Sequence, residues 1–156
     1  MKFRIVAVGK IKEAYLRDAV SEYVKRISRF ASVEIVEIDE CLSRGLQGEA
    51  EIERVKKQEG EAILPVLSGC VVAMDIDGTL VDSVQLSKHI EEQKQYNSTF
   101  TFVIGGSNGL SDEVKRRADK RYSFGKITLP HQLFRVVLLE QLYRACCIEH
   151  NVQYHK

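Results

Sequence analysis

The sequence predicts an α/β fold, a mostly parallel sheet with helices on both faces, as a single domain over residues 1–156. Three observations predict it. Strand-like and helix-like segments alternate along the whole chain, the pattern of parallel strands joined by helical crossovers. The apolar strand in Phe102-Val-Ile-Gly-Gly-Ser-Asn-Gly-Leu-Ser111 runs straight into glycines and then a helix start, the kind of junction where open α/β sheets collect ligands. Finally, 156 residues of which 44% are hydrophobic supply one apolar core, and no linker, repeat or low-complexity stretch divides them.

The elements follow from spacing. Lys2–Val8 reads as a strand. Glu13–Phe30 carries Tyr15, Leu16, Ala19, Val20, Tyr23, Val24 and Ile27 at helical intervals, and Val33–Ile38 alternates apolar with acidic residues as a strand does. Cys41–Gly48 has glycines and Arg44 without periodicity, a loop, before a charged helix over Glu49–Leu64 that Pro65 ends. A strand at Cys70–Asp75 closes with Asp77-Gly78, read as a tight reversal; a helix at Ser83–Tyr96 and a strand at Thr99–Ile104 come next. Ser111 followed by Asp112 and Glu113 marks a helix N-terminus, because its hydroxyl can accept from free amides and the acids suit the positive end of the dipole. Lys115-Arg116-Arg117 with Lys120-Arg121 reads as one basic helical run. Lys126–Gln132 reads as a second strand-to-helix junction, leading into a helix over His131–His150. That last helix has almost no wholly polar face, so a second subunit is expected to cover part of it; the alternative is a central core helix.

Composition narrows the function classes. The start, Met1-Lys-Phe-Arg-Ile-Val-Ala-Val-Gly9, lacks the unbroken apolar core of a signal peptide, and no apolar run reaches membrane-spanning length, so a cytoplasmic protein without a membrane partner is expected. Cys41, Cys70, Cys146 and Cys147 have no zinc-site spacing and read as small buried residues; no metal is expected. The net charge of +1 is unevenly spread: from Lys115 onward nine Lys or Arg face three Asp or Glu, whereas the first 114 residues carry fourteen against nineteen. The positive end could track phosphates, or it could be a solvated face.

Two motifs compete for the chemistry. Val71-Val-Ala-Met-Asp75-Ile-Asp77-Gly78-Thr79 resembles the nucleophile motif of haloacid-dehalogenase-type phosphatases, in which paired carboxylates also hold magnesium. The acidic pair that such enzymes need at a later strand end is missing here. Gly105-Gly106-Ser107-Asn108-Gly109 lacks the Lys-Ser or Lys-Thr of a phosphate-binding loop and lies too late in the chain for a dinucleotide fingerprint. It can offer main-chain groups to an adenine edge and a ribose, or it can be a structural turn.

Phe3-Arg-Ile-Val-Ala-Val-Gly9, the glycine segment 102–111, Ile127-Thr-Leu-Pro-His-Gln132, Arg135–Ala145 and Tyr154-His-Lys156 together resemble the ribosomal RNA large subunit methyltransferase H family, of the SPOUT class. The resemblance spans the chain. It implies a C-terminal deep trefoil knot, S-adenosylmethionine as cofactor, a homodimer, and methylation of N3 of a pseudouridine in 23S rRNA on the assembled ribosome. It also implies cofactor contacts from Met74, where the family usually has leucine, from Gly105 and Gly106, and from Gly125, Lys126, Ile127, Thr128, Leu129 and Pro130. His155, with Tyr154, is the candidate for substrate placement and proton acceptance, since a histidine titrates near neutrality. Arg135, Arg144 and Lys156 are candidates for RNA contact, the two arginines also for contact across subunits. His131 is read as a capping or packing residue, and His89 and His150 as helix-surface residues. The remaining alternatives are the magnesium-dependent phosphatase and a non-enzymatic RNA-binding module.

Overall fold

The computed structural model describes residues 1–45 and 48–154. Its elements run β1 (Lys2–Val8), α1 (Ala14–Ile27), β2 (Ser32–Ile38), α2 (Glu49–Ile63), β3 (Cys70–Leu80), α3 (Ser83–Gln93), β4 (Thr99–Ile104), α4 (Asp112–Arg117), β5 (Lys120–Ser123) and α5 (His131–Glu149). A 3-10 turn at Leu64–Val66, with Pro65 inside it, ends α2. The strands form one sheet in the order β2-β1-β4-β3-β5, and every neighbouring pair is parallel.

Strand periodicity divides the core between the two faces. On one side Phe3, Ile5 and Ala7 of β1, Cys70, Val72 and Met74 of β3, and Phe100, Phe102 and Ile104 of β4 pack against residues of α1, α3 and α5. On the other, Val6 and Val8, Val71 and Ala73, and Val103 pack against Ile63 of α2 and Val114 of α4. The central strands are covered on both faces and therefore read as continuous apolar runs. Helix starts are set locally: Asp82 accepts from the Gln85 amide in a reciprocal capping box, and Ser111 accepts from the Val114 amide at 3.3 Å.

Four expectations are corrected. Lys120 and Arg121 do not continue the basic helix. They lie on β5, whose pairing with β3 makes a strand of a segment too short and too basic to announce itself, while Lys126–Pro130 is irregular. Asp77-Gly78 is no reversal. β3 runs on to Leu80, and both Met74 and Thr79 pair with Tyr122, so residues 75–78 bulge out of the ladder. Gly78 is needed because an added Cβ would lie 2.7 Å from the Arg121 carbonyl oxygen. α5 is flanked by α1 and α3, which bury Leu138, Leu139, Leu142 and Ala145 within the chain, while Leu133 stays 38% exposed. His89 is buried rather than exposed, with its ring edge-on to Tyr122 and beside the Cys70 thiol.

Candidate active site

β3 and β4 are neighbours, and at their carboxyl ends a cavity of about 990 Å³ opens. Met74, Ile104, Tyr122 and Ser123 line it from the strands, residues 105–110 from the turn after β4, Phe124, Gly125 and Ile127–Pro130 from the segment after β5, and His131, Phe134 and Val137 from α5. A crevice at this end of a parallel sheet is where such folds bind ligands.

The turn after β4 has little freedom. The Gly109 amide donates to the Gly106 carbonyl at 3.0 Å, closing it. A Cβ on Gly105 would sit 2.7 Å from the Gly109 carbonyl carbon, so a side chain there would force the turn open. Across the cavity Gly125 adopts φ +129°, a backbone conformation favouring glycine, and Phe124 packs on Phe134 at a centroid distance of 5.6 Å, which ties the segment to α5.

Of the cofactor candidates, Met74, Gly105, Gly106, Gly125, Ile127, Thr128, Leu129 and Pro130 all line this one cavity. Lys126 does not: its Nζ donates to the Ile76 carbonyl at 3.1 Å and pairs with Asp77 at 3.3 Å. His131, expected only to cap or pack, also lines the cavity. Lys56, Lys115, Tyr122, Ser123, Phe124, Phe134 and Val137 lie outside the expected site residues. A shift between helical and strand spacing announces none of them, and all are brought together by crossovers.

The remaining candidates are dispersed. Tyr154 is outside the cavity lining; its hydroxyl donates to Glu140 Oε2 at 2.8 Å and its ring lies against Tyr143. Burial, then the bond to Glu140, push its phenol upward, and the same two causes push Tyr23 up to about 12, so both keep their protons at neutral pH. Arg144 makes two bonds to Glu140 Oε1 and stacks over the Tyr154 ring at 4.7 Å. Arg135, a candidate for RNA contact or contact across subunits, is only 2% exposed. Its guanidinium donates to Glu37 Oε2 at 2.9 Å and to the Gly9 carbonyl at 3.0 Å, so burial takes it away from any surface. His155 and Lys156 lie outside the described residues.

The phosphatase motif does not assemble a phosphatase site. Asp75 bonds Arg121 at 2.8 and 3.1 Å, pairs with Lys115 at 3.3 Å and accepts from the Asp77 amide. Burial alone would raise its carboxyl, but Arg121, the Asp77 amide and Lys115 together hold it below its ordinary value. Asp77 is exposed, and no group of three His, Cys, Asp or Glu able to hold a metal occurs among the described residues.

What remains is a chamber of apolar side chains and peptide groups, with Lys56, Asp75, Asp77 and Lys115 contributing its ionisable groups beside His131 and Tyr122. Its volume suits a nucleoside-sized ligand, and nothing in it forms a polyphosphate cradle.

A family model described as "Predicted SPOUT methyltransferase" matches residues 1–155. Among solved structures, a chain described as a methyltransferase from Bordetella pertussis Tohama I superposes with TM-score 0.56 at 13% identity, over 92% of this chain and 93% of that one. A Legionella pneumophila methyltransferase structure with bound SAM gives TM-score 0.51 at 11% identity, over 93% of this chain and 66% of that one. The fold is thus that of a SPOUT-type α/β methyltransferase. Streptococcus pneumoniae proteins named Ribosomal RNA large subunit methyltransferase H, from strains CGSP14 and JJA, are 45% identical over the full length of both chains. The chain belongs to the SPOUT methyltransferases and, within them, to the ribosomal RNA large subunit methyltransferase H family. No helix among the described residues is long and apolar enough to cross a membrane.

Proposed function

We propose that this enzyme transfers a methyl group from S-adenosylmethionine to N3 of a pseudouridine in 23S rRNA, acting in the cytoplasm as a homodimer on the assembled ribosome. The observation that carries the reading is the convergence of three separate segments, at Met74, Gly105–Gly106 and Gly125–Pro130, on one apolar cavity at the strand ends. Main-chain groups of the glycine turn and of residues 127–130 would hold the nucleoside, with Met74, Ile104 and Leu129 against its apolar faces. Bound there, the cofactor supplies a methyl carbon already activated by the positive charge on its sulfur.

The protein's own work is alignment, exclusion of water and removal of one proton. Tyr154, held protonated by burial and Glu140, serves as a hydrogen-bond donor or packing group rather than a base. His155 is the proposed proton acceptor, and Lys156 and Arg144 the proposed RNA contacts. The homodimer is supported by exposed apolar side chains near the cavity: Ile127 is 83% exposed, Leu80 69% and Leu133 38%. It is supported too by Tyr154, which lies away from the cavity of its own chain. The knot is supported by the path of the chain, which forms β5 outside β3 and then returns to place α5 between α1 and α3. A near-neutral net charge and one α/β unit over the described residues favour a pre-folded target over naked RNA.

Calorimetry with S-adenosylmethionine, followed by transfer of labelled methyl to ribosomes lacking the modification, tests the reading. Saturable binding, label at one pseudouridine and loss of transfer on deleting residues 154–156 are expected. Absence of cofactor binding would overturn the enzyme assignment, and equal transfer to free 23S rRNA would overturn the ribosome.

A further inference from the structure

α2 presents an apolar row to the sheet, with Val55 and Ile63 buried one turn on either side of position 59. That position is Glu59, which is only 4% exposed. Its Oε1 accepts from the Cys41 amide at 3.2 Å, and its Oε2 has no hydrogen-bond partner among the described residues. A carboxyl in such surroundings is costly unless it does something there, since burying a polar group without a partner is unfavourable.

The carboxyl lies against the glycine turn. A Cβ built on Gly106 would come within 3.1 Å of Glu59 Oε2, 3.3 Å of Oε1 and 3.1 Å of Val8 Cγ1. The next residue of α2 makes a still closer approach at the other end of the same loop. A Cβ on Gly60 would lie 2.4 Å from Ser111 Oγ, the hydroxyl that caps α4. Consecutive residues of one helix therefore meet the loop at its first turn and at its exit, and neither is among the residues that line the cavity with Gly105–Leu110.

We propose that Glu59 is a positioning residue for the cofactor site: its buried carboxyl, seated with Gly60 against the loop, holds residues 105–111 in the shape that lines the cavity. The inference rests on the cofactor reading above and adds to it a group that touches neither cofactor nor substrate.

The protonation state follows from the surroundings. Burial pushes the Glu59 carboxyl upward and the charge of Glu40 adds to the rise, against the Cys41 amide, which lowers it. The ionisable group acting on it is Glu40; Cys41 meets it through its amide, while the Cys41 sulfur accepts from Arg54 at 3.6 Å. β1 offers Val8, the loop Gly106, α4 the Ser111 hydroxyl, and α2 itself Val55 and Ile63, none of them charged. The group is thus held toward its neutral form. A raised value means that the stability it contributes is fully present below the ordinary glutamate pKa and is lost as pH rises through the folded value. On ionising, Oε2 becomes a bare acceptor under a turn that offers it no donor.

The test measures S-adenosylmethionine affinity by calorimetry over roughly pH 5 to 9, with melting temperatures recorded alongside. It compares the full-length wild type with Glu59→Gln, Glu59→Ala and Val20→Ala, the last a core truncation on α1 across the sheet. Wild-type affinity is expected to fall as pH rises, while Glu59→Gln, an uncharged isostere, binds as the wild type does at low pH and holds that affinity. Glu59→Ala is expected to bind about tenfold more weakly than the wild type does at low pH and to show no further fall as pH rises, whereas Val20→Ala loses melting temperature without losing affinity. A Glu59→Gln profile that tracks the wild type, or a folded Glu59→Ala with unchanged affinity, would overturn the proposal. Should Glu59→Ala fail to fold, the Gln profile still decides. Absence of saturable binding by the wild type sinks the cofactor reading itself, and the positioning role with it.

Discussion

Two glycine-bearing segments lie just beyond Met74 and Ile104, the last pair joining β3 to β4: the bulge at residues 75–78 within β3 and the turn at residues 105–109 after β4. Both adjoin the same cavity. The bulge has the carboxylates that catalysis so often uses, yet Asp75 commits its oxygens to Arg121, Lys115 and the Asp77 amide. The turn has no ionisable side chain, and all of its residues, three of them glycines, line the cavity. A group's availability to a ligand, more than its reactivity in isolation, marks the site. Charged residues at a strand end can be wholly occupied in joining β3 to β5.

Substitutions in the two segments should therefore have opposite signatures. The largest effect is expected from Gly105→Ala, whose Cβ would meet the Gly109 carbonyl carbon at 2.7 Å, backbone against which little can yield. Cofactor affinity should fall about a hundredfold, measured by calorimetry; an unchanged affinity would remove the turn from the site. Asp75→Asn should cost about 1 kcal/mol in thermal melts while leaving cofactor affinity within severalfold. Because the folded value of Asp75 is lowered, its stabilisation is present above the ordinary aspartate pKa and is lost as pH falls through the folded one. The melting difference between wild type and variant should shrink on acidification, and a difference that grows would contradict the ion-pair assignment. The smallest effect belongs to Asp77→Asn. That carboxylate is 73% exposed and pairs with an equally exposed Lys126, so the melting temperature should move by no more than about a degree. A larger change would mean that the bulge, too, takes part in the site.

How much of this could be read beforehand varied with how local the cause was. β1 and β4 match the expected Lys2–Val8 and Thr99–Ile104 because apolar runs between turn residues report burial on both faces directly. The cap at Ser111 was legible for the same reason, its partner being three residues away. β5 was not: Lys120-Arg121-Tyr122-Ser123 is basic and short, as suits an edge strand, and only its partner makes it a strand. Arg135 looked like a surface cation because arginine usually is one; its place beneath Gly9 and beside Glu37 joins residues 126 and 98 positions apart. Glu59 did leave a trace, a carboxylate in the apolar row of Val55 and Ile63, but nothing local says that Gly106 lies above it.

Sequence alone determined the alternation of strands and helices and the glycine segment. Each of these depends on periodicity or backbone freedom within a few positions. Tertiary structure alone decided that α5 lies between α1 and α3, that the carboxylates of the bulge are neutralised, and that a helix carboxyl underlies the glycine turn. Such facts turn on which distant groups meet, and parallel strands can meet only through long crossovers whose ends no local pattern records.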